Sequence, residues 1–129
     1  KTTLFVDSAA GIALTGNQET EEANKFFIGA DALLNQGIVN KIGSGMLSQI
    51  AYKNKIPLYV FSDSWKYSKE KVKMEQRSFK EIWKGKKSQS KITIKNPAFE
   101  FVEKRYIYSI VSELGIRKYN DFLKKVKNV

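Results

Sequence analysis

One run constrains the fold more than any other. Phe26-Phe27-Ile28-Gly29-Ala30 is continuously apolar and stops on Asp31. A parallel strand covered on both faces reads this way, because neither side needs a polar alternation. A second such run, Leu58-Tyr59-Val60-Phe61, follows Pro57. Between them Ile42, Met46, Leu47, Ile50 and Ala51 recur at helical spacing. Strand, helix and strand with short joins make a right-handed βαβ unit. The chain is therefore predicted to be α/β with a mainly parallel sheet. Open sheets of that kind bind ligands at the carboxyl ends of their strands, which puts Asp31 and the Asn40-Lys41 pair at the candidate edge.

The rest of the chain is expected to serve as scaffold for that edge. Residues 2–6 read as a short buried strand, and residues 8–14 as a small-residue helix packed on the sheet, with Asp7 or Ser8 as N-cap. Asn35-Gln36-Gly37 is a turn. The helix that follows is expected to start at Asn40 or Lys41 and to run to about Asn54. Residues 62–67 leave the second strand on the same edge as Asp31. Residues 70–83 fit a helix or an extended segment equally well. Residues 84–90 read as a polar loop, residues 91–95 as a short strand, and Asn96-Pro97 as a turn. Residues 103–114 read as an amphipathic helix closed by Gly115, and residues 119–126 as a final helix with Phe122, Leu123 and Val126 facing inward. The 129 residues form a single domain without internal repeats.

Composition excludes several chemistries. The sequence has no Cys and no His, so disulfides, thiol nucleophiles, the usual zinc sites and His-based triads cannot be built from it. No apolar run approaches the roughly 20 residues of a membrane helix. No signal peptide is visible, and a cytoplasmic location is expected. The formal net charge is +10, with 23 Lys+Arg against 13 Asp+Glu, and the excess is concentrated in residues 66–95. Such a face suits an acidic partner or RNA, or it is an ordinary solvated lysine surface. Few aromatics are interleaved with the charge there, as single-strand binding needs. No cofactor or metal is expected.

Asp31, directly after a buried strand, is expected to be partly desolvated and able to act as a general acid or base; the alternative is a turn cap. Lys41 is suited to hold a phosphate, helped by free backbone N–H groups near Gly43-Ser44-Gly45. Those residues also fit an ordinary first turn with close packing, and no phosphate-loop spacing is present. Asp7 and Ser8 either line the same cleft or cap a helix.

Three motifs together resemble a known family. Gly29-Ala30-Asp31, Asn35-x-Gly37-x-Val39-Asn40-Lys41-Ile42-Gly43 and Ile56-Pro57-Leu58-Tyr59-Val60 look like the carboxyl-terminal domain of the translation initiation factor 2B alpha/beta/delta family. Ribose-1,5-bisphosphate isomerase and methylthioribose-1-phosphate isomerase belong to the same superfamily. Asn96-Pro97-Ala98-Phe99 and Ile110-Val111-Ser112-Glu113-Leu114-Gly115 match its closing pattern, so the likeness runs over almost the whole chain.

The resemblance implies a three-layer Rossmann-like domain, incomplete because the sheet's first strand and a helical domain normally precede it. In the isomerase branch the residue matching Asp31 is a catalytic acid/base, and those matching Asn40 and Lys41 bind the sugar phosphate. Gly43, Ser44 and Lys66 are candidate ligand contacts beside them, and a partner cysteine lies upstream. No isomerase activity is expected from these residues alone. In the initiation-factor branch the domain is a regulatory subunit that assembles with itself or related subunits. Trp65-Lys66-Tyr67 resembles the Tyr-Lys-Phe of the ribose-bisphosphate and initiation-factor branches and speaks against the methylthioribose enzyme. After Phe99 this chain has Glu100-Phe101-Val102-Glu103-Lys104-Arg105 where the family usually has Asp-x-Thr-Pro-Pro-Glu, so no role of that turn carries over.

Overall fold

A computed structural model describes residues 1–85 and 92–128. It is α/β, with a mainly parallel four-stranded sheet ordered β1-β4-β6-β7. Strands β1 (Phe26–Gly29), β4 (Leu58–Phe61) and β6 (Ser109–Ser112) run parallel, and β7 (Gly115–Arg117) returns antiparallel. A second sheet, ordered β2-β3-β5, holds Ala32–Leu34, Gly37–Lys41 and Phe99–Glu103, all antiparallel. The main core lies between the sheets. Leu33, Ile38, Leu58, Val60, Val102 and Ile110 meet there with Phe122 of helix α3 (Tyr119–Val126), all essentially inaccessible. Phe122, Leu123 and Val126 do face inward. No helix among the described residues is long and apolar enough to cross a membrane.

Several local expectations are corrected. Residues 2–6 form no strand. Leu4 and Val6 are exposed, and without a neighbouring strand to bond, an apolar β-rich segment forms no ladder. A short 3₁₀ turn, Asp7–Ala9, follows, and no side chain caps it or helix α1 (Ala10–Thr15). Helix α1 lies on helix α2 (Ser44–Lys53), where Leu14, Ala51 and Ile56 make a second small core. Strand β1 is not covered on both faces. Its burial alternates, Phe27 is 55% exposed, and among the described residues its one strand neighbour is β4.

The segment after Asp31 is a hairpin rather than a loop. Its arms are β2 and β3, and Asn35-Gln36 is the connection. Asn40 and Lys41 therefore end a strand instead of starting a helix. Helix α2 begins after Gly43, which takes φ +101°, a left-handed value that favours glycine. Its buried face is Ser44, Gly45, Ser48 and Ala51, whereas Met46 is exposed, as is Ile42 ahead of the helix. Small residues at this spacing let the helix backbone approach its neighbours closely.

Residues 103–114 contain no α-helix. They pass from β5 through a 3₁₀ turn, Lys104–Tyr106, into β6. Gly115, at φ +93°, closes a tight connection to β7 through Glu113-Leu114 instead of capping a helix. Residues 71–78 contain no helix and one bridge, from Gln76 to Pro97, and Phe79–Glu81 is a 3₁₀ turn. Residues 92–95 are not a strand. Residues 86–91, which carry most of the polar-loop expectation, lie outside the described residues.

Candidate functional site at the carboxyl edge

The parallel direction of β1, β4 and β6 brings Asp31, residues 62–66 and Glu113 to one edge. The Asp31 backbone N–H donates to the Val39 carbonyl at 2.9 Å. Continuing the Ala32–Val39 pairing by one residue sets Asp31 opposite Asn40. Lys66 reaches back to the same corner, its Nζ donating to the Ala30 carbonyl at 2.9 Å. Asp31 is exposed rather than partly desolvated: it lies at the bend between β1 and β2, while Ala30 before it and Ala32 and Leu33 after it are buried.

Asn40 and Lys41 direct their side chains to opposite faces of β3. Successive strand residues point to opposite faces. The Asn40 Nδ2 donates to Ser44 Oγ at 2.9 Å, and Ser44 Oγ donates to the Lys41 carbonyl at 2.7 Å. Lys41 instead extends toward the ring of Phe99, with Nζ 5.7 Å from the centroid. Its charge also reaches Glu81, whose carboxyl is held below the ordinary range first by the hydrogen bond from Arg77, then by Asn96, with smaller contributions from the charges of Arg77 and Lys41.

The start of α2 is already occupied. The Gly45 N–H donates to Glu100 Oε1 at 2.8 Å, and Glu100 pairs with Asn40 across β3 and β5. The free N–H groups expected there as phosphate donors are thus met in part by a resident carboxylate. A Cβ on Gly45 would stand 2.6 Å from Glu100 Oε2, so glycine makes room for this cap.

Around Lys66 the edge opens into a groove of about 400 Å³, lined by Ser62, Asp63, Ser112 and Glu113 with Phe61 and Val111. An adjoining hollow of about 380 Å³ shares Asp63, Lys66 and Glu113 and adds Trp65, which is 92% exposed. Asp31 and Asn40 lie beside the groove and do not line it. Glu113 is fixed by Ser64, whose N–H donates to Oε2 at 3.0 Å and whose hydroxyl donates to Oε1. The Ser64 hydroxyl, followed by its backbone N–H, holds the Glu113 carboxyl below its ordinary range.

The structure therefore gathers Asp31, Asn40, Ser44 and Lys66 around the exits of β1 and β3. It keeps the Lys41 side chain apart on the Phe99 face. Asp7 and Ser8 are exposed at the start of α1, and no hydrogen bond or ion pair joins them to these residues. Glu113 and Asp63 were not singled out from sequence. Glu113 enters the groove because β6 ends at Ser112, directly before it, and the helical spacing of residues 103–114 hid that strand.

A family model described as the Initiation factor 2 subunit family matches residues 1–118. The chain is 31% identical over 120 residues to the ribose 1,5-bisphosphate isomerase of Methanocaldococcus jannaschii, covering 88% of this chain and 37% of that protein. It is 31% identical over 122 residues to the methylthioribose-1-phosphate isomerase of Natranaerobius thermophilus, covering 88% and 34%. The crystal structure of the translation initiation factor eIF-2B subunit delta from A. fulgidus superposes with a TM-score of 0.78 at 26% identity, covering 98% of this chain and 39% of that one. The chain thus spans little more than a third of the relatives it matches.

Proposed function

This chain belongs to the Initiation factor 2 subunit family, and from that premise we propose that it is a regulatory and assembly domain of the initiation factor 2B type with a pocket for a phosphorylated ligand. The observation that carries the reading is the convergence of Lys66, Asp31 and the Ser62–Glu113 groove on one sheet edge. Lys66 supplies the cation for a phosphate. Ser62 and Ser112 supply hydroxyls, and Asp63 supplies an acceptor for sugar hydroxyls. Glu100 of β5, bonded to the first turn of α2, disfavours a phosphate there, which leaves Lys66 as the better anchor.

Calorimetric titration with ribose 1,5-bisphosphate, with inorganic phosphate as reference, tests the pocket. Lys66→Ala is expected to weaken sugar-phosphate binding about tenfold or more, the size of one charge-assisted hydrogen bond. Unchanged affinity would remove Lys66 from the site. Assembly is read by light scattering on the same samples.

The second reading is a sugar-phosphate isomerase, favoured by the placement of Asp31 beside Asn40 and Lys66. Aldose-to-ketose isomerisation moves a proton between adjacent carbons without net oxidation. On this reading Asp31 carries one proton, and this sequence contains no Cys to carry the other. Residues 1–129 alone are expected to show no turnover. In protein that does turn over ribose 1,5-bisphosphate, Asp31→Asn is expected to abolish the reaction while leaving binding intact. Turnover that survives the substitution would contradict an acid/base role.

A further inference from the structure

A second groove, larger than the one around Lys66, lies at the opposite end of the parallel sheet. It is an open trough of about 840 Å³ at the amino edge of β4 and β6, between the end of α2 and the Lys104–Tyr106 turn. Buried Ile56, Leu58 and Ile107, with Pro57, form its apolar floor. Two tyrosine pairs form its sides. Tyr52 meets Tyr106 edge to face at 5.4 Å between centroids, and Tyr59 meets Tyr108 in the same way at 5.2 Å. Tyr52 is 58% and Tyr108 47% exposed, so apolar ring surface is presented to solvent.

Cations alternate with these rings. The Arg105 guanidinium carbon lies 4.8 Å from the Tyr106 ring centroid, and Lys118 Nζ sits over the Tyr108 ring. Lys53 and Lys55 complete the rim, and Lys55 is held there by a left-handed backbone at φ +59°. Among the described residues no carboxylate lines the trough, and Arg105 is paired with Glu103, which lies outside the lining.

Tyrosine faces interleaved with cations over an apolar floor match one ligand chemistry, a flat ring joined to a phosphate. The basic residues 66–95 offer charge with few rings among it, whereas this trough sets tyrosines and cations side by side. We propose that the trough at the amino edge of β4 and β6 binds single-stranded nucleic acid. Bases stack on Tyr52 and Tyr108, and Lys53, Lys55, Arg105 and Lys118 hold the intervening phosphates. The trough is open, so a strand can continue past the two stacked bases and meet all four cations. This site is separate from the sugar-phosphate edge and stands or falls independently of it.

The test is fluorescence anisotropy of the protein with a labelled eight-nucleotide single-stranded RNA, with DNA of the same sequence as a second arm that tells which sugar is preferred. Binding is expected to weaken with salt, and four phosphate contacts give a log–log slope of about −3 for a single strand. Lys53→Glu with Lys55→Glu is expected to lower the affinity and flatten that slope. Tyr52→Leu and Tyr108→Leu are each expected to weaken binding about tenfold with the slope unchanged, as loss of one stacked base requires. All four side chains are exposed, so far-UV circular dichroism should report an unchanged fold. Lys69→Glu, Lys71→Glu and Lys73→Glu together form the control. If that triple variant loses binding while the tyrosine variants bind as the parent does, the site is wrong. No binding to either strand at low salt, or equal competition by a free nucleoside monophosphate, would overturn the proposal.

Discussion

Glu113 shows how one side chain ties an edge together. It joins the end of β6 to the turn after β4 by accepting from both the N–H and the hydroxyl of Ser64. These bonds favour the carboxylate, so its folded value lies below the unfolded one. The stabilisation is fully present above the ordinary carboxylate value and is lost as pH falls through the lowered one. The urea midpoint of Ser64→Ala should therefore lie below that of the parent near neutrality, and the gap should narrow between about pH 5 and pH 3. A constant gap across that range would contradict this linkage. Tyr119 carries the opposite sign. Its buried hydroxyl is held between the carbonyls of Leu34, at 2.8 Å, and Gly37, and burial pushes its ionisation well above the usual tyrosine value. Above about pH 10 the unfolded chain ionises this group first, so stability falls as pH rises. Tyr119→Phe should cost about 1–3 kcal/mol at pH 7 through the unmet carbonyls, and its alkaline decline should be shallower. Equal alkaline slopes for parent and variant would show that another group titrates there.

At the scale of elements, the β3–β5 contact decides how closely the second sheet can be built. A Cβ on Gly37 would stand 2.0 Å from the Val102 carbonyl, which is backbone and cannot swing aside. Gly37→Ala is expected to cost about 1–3 kcal/mol by overpacking, read as a lowered urea midpoint with an unchanged m-value. A parent-like midpoint would mean that β5 can shift away. Legibility also divides by element. Leu58–Phe61 and Tyr119–Val126 could be read from sequence because each has a clear boundary, Pro57 before the strand and a single apolar stripe in the helix. The 103–114 segment could not. Tyr106, Ile107, Ile110, Val111 and Leu114 fit a helical stripe, yet the same β-branched and aromatic residues fill a buried strand, and a short run does not distinguish them. The β2–β3 hairpin was hidden in a similar way. Its turn was visible in Asn35-Gln36-Gly37, but its arms are mostly buried and lack the polar alternation that marks a strand. The place of Asp31 at the carboxyl edge was legible because it follows the apolar run of β1. The separation of Asn40 from Lys41 depended on a strand register that spacing alone does not reveal.

For the whole molecule, the decisive fact is a side of the parallel sheet that the described residues leave exposed. Leu58 and Val60 turn toward the core, so Tyr59 and Phe61 turn away from it, and Phe27 packs edge to face on both at 5.7 and 5.3 Å. Phe61 is 48% exposed, and Ile116 on β7 adds to the same surface. Beside these rings runs the outer edge of β1, which no described strand bonds. An apolar face next to an open strand edge favours pairing with another chain. The polypeptide of residues 1–129 should therefore self-associate with rising concentration in light scattering, despite a net charge of +10 that opposes it. Phe27→Lys with Phe61→Lys should suppress this association and leave the circular dichroism intact, since both side chains lie outside the core that holds Phe122 and Ile110. Added salt should promote association of the parent by screening its charge. If the lysine pair still associates as the parent does, pairing runs through some other surface, and the open face of the sheet is not what joins the chains.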